Sequence, residues 1–266
     1  MVRASPTPIP RFVLRMRSVG IGRVVAACAA SAIAAFSTVA QAAEPHELDI
    51  ALGVAGMLQS ARAVVSAEQD LINNPTIGDK GLTGDVVLAR GIENFKRSTG
   101  VDPRTIDPNS VYGRLLAAEM TAIRDVMAEA QASINRADIG FKGFVPAIFG
   151  RLVAERFQQL MGGVAEIKVT APPELIRNRR ARPDPWETEA IRTRLLAADW
   201  PTGKVYAAEA KKGNRDAYRV LVPEYYTQGC LACHGETKGE LDITGYPKEG
   251  GKVGDLGGVI SISLFR

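Results

Sequence analysis

Two thiols and an imidazole fall within five residues, in Cys230-Leu231-Ala232-Cys233-His234. The thiols stand one short loop apart and the imidazole follows directly. This C-x-x-C-H spacing can bond both vinyl groups of a haem and ligate its iron from the face that the loop covers. The sequence therefore points to one covalent haem c, with Cys230 and Cys233 as thioether residues and His234 as the axial iron ligand. Three other chemistries use similar residues. A zinc knuckle needs four ligands, and the 3 Cys and 2 His of the whole sequence are too few once a leader is removed. A thioredoxin-like redox pair belongs at a strand-to-helix junction of a βαβ unit, which this segment does not resemble. A structural disulfide leaves His234 unexplained.

Haem is attached to such motifs only in exported proteins, and the N-terminus supplies an export signal. Arg11, Arg15, Arg17 and Arg23 form a basic region, Val24 to Val39 is apolar and small, and Ala40-Gln41-Ala42 is a small-x-small cleavage site. Cleavage is expected between Ala42 and Ala43. The apolar run is shorter than the roughly 20 residues of a transmembrane anchor. Residues 1–42 hold five of the 33 basic residues and none of the 29 acidic ones, so the mature chain carries 28 basic against 29 acidic residues. The basic balance belongs to the leader. Nothing then argues for nucleic acid, and no membrane span is expected after cleavage. Cys28 also leaves with the leader, with lipidation at Val25-Ala26-Ala27-Cys28 as the alternative, so the mature protein is expected to be soluble and periplasmic, with both of its cysteines in the motif.

The elements that must position the motif follow in order. Leu48, Leu52, Ala55, Leu58 and Val65 mark a helix from Glu47 to about Ile72, stopped by Asn73-Asn74-Pro75. A second helix is predicted from Asp85 to about Lys96 with Thr83 as its cap. The stripe Val111, Leu115, Ala118, Ala122, Val126, Ala130 and Ile134 predicts a third, and Ile148 to Phe157 lie on a fourth. After Gly162-Gly163 the period changes. Glu166 to Thr170 alternates as a strand, Arg177 to Trp186 reads as a loop, and Glu187 to Trp200 as a short helix. Lys204 to Ala210 and Ala217 to Val222 are predicted strands joined through Lys211-Lys212-Gly213-Asn214. Gly254 to Gly258 reads as a turn before a last strand, Val259 to Leu264. Helices first and a small, mostly antiparallel sheet last make the fold α+β, one domain over 43–266 with a helical part (43–161) and a sheet and haem-attachment part (162–266).

Several stretches together resemble one family. Phe141-Lys142-Gly143-Phe144, Arg177-Asn178, Pro183-Asp184-Pro185-Trp186-Glu187, Cys230 to Gly235 and Gly254 to Gly258 are similar, in that order, to bacterial and cyanobacterial single-haem c-type domains with a PAS-like fold, long catalogued as a domain of unknown function. The resemblance implies a PAS-like antiparallel sheet with haem held against it and long N-terminal helices alongside. It matches Cys230 and Cys233 to the thioether positions and His234 to the proximal ligand. Six-coordinate members of that family draw a cysteine ligand from the N-terminal helix. This chain has none there: Ala61 to Ala67 offers only Arg62 and Ser66. Met57 and His46 remain as candidate distal iron ligands, and a five-coordinate or weakly ligated haem is expected. Trp186 and Tyr226, with Tyr225, are expected to pack at the haem. The cluster Arg177, Arg179, Arg180 and Arg182 reads as a solvated loop, with pairing to haem propionates as the alternative.

Two functions fit these readings. One is a redox or diatomic-gas sensor, with NO or CO as ligand, that signals through a separate partner. The other is a small electron-transfer cytochrome with a redox partner. No enzymatic activity is expected, because a peroxidase-like reaction needs a distal acid-base group and, besides His234, the mature chain has only His46.

Overall fold

A computed structural model describes residues 46–266. The predicted leader, its cleavage site and Cys28 lie outside the described residues. Helix α1 (Glu47–Ala67) begins at His46, whose ring accepts a hydrogen bond from the Leu48 backbone N–H. It ends one turn earlier than the periodicity predicts, breaking at Glu68 before the short α2 (Gln69–Ile72). Helix α3 (Gly84–Thr99) is capped by the Thr83 hydroxyl, as expected, and stops at Gly100 with φ of 78°. Helix α4 (Val111–Ile134) has the bounds that its stripe marks, because the Ser110 hydroxyl accepts from the Gly113 N–H at 2.9 Å to set its start. Helix α5 (Pro146–Met161) follows, with proline in its first turn.

The four long helices form one core. Met57, Leu58, Phe95, Leu115, Ile123, Met127, Phe149 and Phe157 are all fully buried in it. Among the described residues α1 is the one helix long and apolar enough to cross a membrane. Most of that apolar surface is spent in the core instead, since Ile50, Val54, Ala55, Met57, Leu58, Ala61, Val64 and Val65 are buried.

The sheet comprises β1 (Ala165–Thr170), β2 (Tyr206–Lys212), β3 (Arg215–Tyr225) and β4 (Leu256–Phe265), in the order β1-β4-β3-β2, every pair antiparallel. The α+β expectation holds: helices come first, and the sheet packs against them. Side chains alternate between two faces. Val220, Ile260, Ile262, Ile167 and Leu264 join the helical core. The opposite face carries Leu221 and Val259, which pack with Ala190, Ile191 and Leu195 of the segment beneath. That segment is not the single helix to Trp200 that its pattern predicts. It is a short α6 (Pro185–Ala190) followed by a π-helical turn, Ile191–Leu195.

Two other boundaries differ from the prediction. The β2–β3 strands continue to Lys212 and Arg215, which pair directly, so the turn is only Gly213-Asn214, with Gly213 at φ of 59°. Strand β4 starts at Leu256, because Glu224 and Tyr225 pair with Gly258 and Leu256 across a bulge and draw the glycines into the ladder.

Candidate functional site

The bulge between Glu224 and Tyr225 ends β3 and turns the chain outward. A 3-10 turn (Gln228–Cys230) runs directly into a one-turn helix, α7 (Leu231–His234). Cys230 and Cys233 are three apart on this turn, which places both on one side of it. Both thiols are free and partly exposed. The Cys230 sulfur accepts from the Thr227 backbone N–H at 3.4 Å. Burial, with the Asp242 carboxylate nearby, pushes the Cys233 thiol above its ordinary range against the opposing charge of Arg177.

His234 is held from two sides. Its Nδ1 lies 2.8 Å from Glu249 Oε2, and its ring stacks on Tyr226 with centroids 5.0 Å apart and planes 19° off parallel. Tyr226 is itself wedged. A Cβ built on Gly251 or on Gly257 would land inside its ring, so each glycine permits a close approach that no other residue allows. Burial, with the Glu249 charge, pushes the Tyr226 hydroxyl up to about 12. The backbone closes the same way, with Gly251 N–H donating to the His234 carbonyl at 2.7 Å and Gly254 N–H to the Tyr226 carbonyl at 2.9 Å.

Arg177 ties this assembly together, which corrects the reading of it as part of a solvated loop. Its guanidinium donates to both Glu249 oxygens (2.7 and 2.9 Å), to Asp242 (2.6 Å) and to the Cys233 carbonyl (2.8 Å). Burial would raise the Glu249 carboxyl, but hydrogen bonds from Arg177 and His234 outweigh it and hold it below the usual value. Asp242 likewise lies well below the usual range despite its burial, held by Thr244 and Arg177. Arg180 stays exposed, as a loop residue should. Glu249 and Asp242 escape sequence reasoning altogether, since nothing local marks a carboxylate that meets its partner 72 or 65 residues away.

The remaining candidates sit elsewhere. Met57 is fully buried in the helical core. His46 packs edge-on against Tyr218, seven residues up β3 from Tyr225 and so ~23 Å away at the rise of an antiparallel strand. Neither side chain is brought to His234. The segment of α1 that does approach the motif presents Arg62, which forms an ion pair with Glu224 and feels the charge of Cys230.

Trp186 packs against Tyr206, with the Arg219 guanidinium 4.2 Å from its ring centroid. Its neighbours explain the whole Pro-Asp-Pro-Trp-Glu stretch. Asp184 and Glu187 form a capping box around Pro185, and both carboxylates meet the buried Arg219, at 2.5 and 3.4 Å. Glu187 also receives Lys168 at 2.8 Å. This stretch therefore anchors α6 to the outer face of the sheet.

The residues of the motif fit a covalent haem. Two unbridged thiols lie on one turn, and His234 keeps its Nε2 uncommitted because Nδ1 is engaged by Glu249. Among the described residues no group of three His, Cys, Asp or Glu side chains is placed to hold a bare metal ion. A haem needs only one such ligand, since the porphyrin supplies four. The family model described as Tll0287-like matches residues 106–264, more than half of the chain, and leaves α1 to α3 outside the match. No curated protein and no solved structure matches it.

Proposed function

The chain belongs to the Tll0287-like family, and we propose that it is a c-type haem protein of the periplasm, acting as a redox or diatomic-gas sensor module rather than as an enzyme. One observation carries this reading: His234, pinned through Nδ1 with Nε2 open, directly follows two free thiols held on one helical turn. The bound haem would supply a one-electron iron couple and an iron site able to take a small ligand.

The chain's own residues do the rest. Cys230 and Cys233 would fix the porphyrin edge to the ends of the two central strands, and His234 would hold the iron from the covered side. Tyr226 keeps the imidazole plane from turning. The sheet gives a route outward, because Tyr225 and Tyr226 are continuous with β3, the strand whose other face packs on α1. A change at the iron that moved His234 would bear on Tyr226 and the strand behind it. Sensing is favoured over electron transfer by the positions of Met57, buried in the helical core, and His46, packed on Tyr218, since neither candidate would be at hand to serve as a second fixed ligand.

The experiment is direct. Produced with a cytochrome c maturation system, the protein should carry one haem mass that survives acid and denaturant, and its reduced spectrum should change on adding CO. Pigment that extracts into acidic organic solvent would refute covalent attachment. A sharp low-spin reduced spectrum untouched by CO would replace the sensor by an electron carrier bound to a redox partner.

A further inference from the structure

We infer that Glu249, locked by Arg177, is a positioning residue that sets the electron-donating strength of His234 and biases the iron couple toward the oxidised state. The inference rests on the haem reading above and deepens it. The geometry is built rather than incidental. Glu249 Oε2 meets His234 Nδ1 at 2.8 Å and accepts from Arg177 Nη2 at 2.9 Å, while Oε1 accepts from Arg177 Nε at 2.7 Å. The carboxylate is thus clamped in a bidentate pair before it reaches the histidine. Arg177 is in turn fixed at its other end by Asp242 (2.6 Å) and by the carbonyl of Cys233, the residue preceding His234, at 2.8 Å.

Each link has a physical consequence. A ring N–H that donates to a carboxylate is more polarised than one that donates to a neutral carbonyl, so the opposite nitrogen becomes a stronger donor. Stronger donation and an added negative charge both favour Fe(III) over Fe(II), which lowers the potential. The couple exchanges one electron with an external one-electron donor, and the proton stays on Nδ1 between His234 and Glu249. Because Arg177 also holds the Cys233 carbonyl, the carboxylate cannot drift from the ring without loosening the attachment turn. The clamp therefore couples ligand strength to the position of the haem-bearing turn.

The test compares the haem-loaded full chain with its Glu249→Gln variant by spectroelectrochemical titration at one pH. Glutamine keeps the shape and removes the charge. At a fixed ambient potential the Fe(III)/Fe(II) ratio should fall at least about tenfold, equivalent to ~59 mV for a one-electron couple. A folded variant with haem attached and a ratio within about twofold of wild type overturns the inference, since a merely structural Glu249 would change stability and leave the potential alone. A second measurement needs no variant: nitrogen-15 NMR of His234 in the haem-free full chain should show the Nδ1-protonated tautomer. The Nε2-protonated tautomer would also overturn it. Absence of covalent haem from the wild type is a different result and overturns the proposed function itself.

Discussion

Tyr226 lies in a near-parallel stack on His234, with ring centroids 5.0 Å apart, and glycines stand against both edges of the tyrosine ring. The phenol is 7% exposed and its hydroxyl has no hydrogen-bond partner among the described residues. A buried hydroxyl without a partner costs free energy, which the packing of the ring must offset. It lies one residue past the end of β3 and stacks on the imidazole.

Overpacking this wedge should be measurable. Gly257→Ala should lose about 1–3 kcal/mol in urea unfolding, because its methyl meets the Tyr226 ring. The same substitution in a Tyr226→Leu background should cost clearly less. Equal costs in the two backgrounds would mean that the tyrosine and the glycine do not share the contact.

The charged network under α6 predicts a large loss when one partner is removed. Arg219 is 1% exposed and faces Glu187, which is fully buried, and Asp184. Arg219→Met should destabilise by about 1.5–3 kcal/mol, since Asp184 and Glu187 both lose a charge-assisted partner while Glu187 keeps Lys168. The pH dependence follows from Asp184. Burial alone would raise its carboxyl, but the Glu187 backbone N–H and Arg219 hold it below its ordinary 3.8. A group depressed on folding stabilises above its unfolded value and loses that contribution as pH falls through the folded value. The wild type should therefore weaken below about pH 4, and Asp184→Asn should flatten this limb of an acid titration followed by circular dichroism.

Glu119 runs the other way. It is fully buried in α4 with neither oxygen hydrogen-bonded, and burial raises its carboxyl well above the ordinary 4.5. Tyr112, pushed up to about 12 by burial and by the charges of Glu119 and Asp49, lies close enough to feel it. A raised acid is compatible with folding while protonated, so its contribution is fully present below 4.5 and is lost as pH rises toward the folded value. Glu119→Gln should stabilise the protein at pH 7 by about 1–3 kcal/mol and leave it little changed at pH 4. Equal effects at the two pH values would contradict this account.

The positions of Met57 and His46 predict that neither ligates the iron. Met57→Leu and His46→Ala should leave the oxidised and reduced spectra and the CO response of the haem-loaded protein unchanged. Met57→Leu should cost under about 1.5 kcal/mol, as a volume-conserving core exchange does. A loss of low-spin character in either variant would assign that residue to the sixth position.

Whatever depends on neighbours a turn or less away is legible along the chain. The C-x-x-C-H spacing, the Thr83 cap and the stripe of α4 are all of this kind, because helical geometry makes i, i+3 and i, i+4 residues meet wherever the helix is put. Antiparallel strands and the α+β class followed from the change of period after Gly163. Tertiary structure alone decided the partners. Arg177 reads locally as one of four arginines in a loop and becomes the clamp only because β4 returns between β1 and β3 and brings Glu249 and Asp242 across from it. Glu187 and Trp186 belong to a stretch that resembles a haem-domain signature, yet they are spent on Arg219, a residue on the sheet face to which α6 docks. Met57 and His46 share α1 with Arg62, but rotation about the helix axis and distance along it turn one into the core and carry the other ~24 Å from Arg62, at 1.5 Å per residue. Spacing along a chain specifies which residues of one element face together, and packing of the elements specifies what they face.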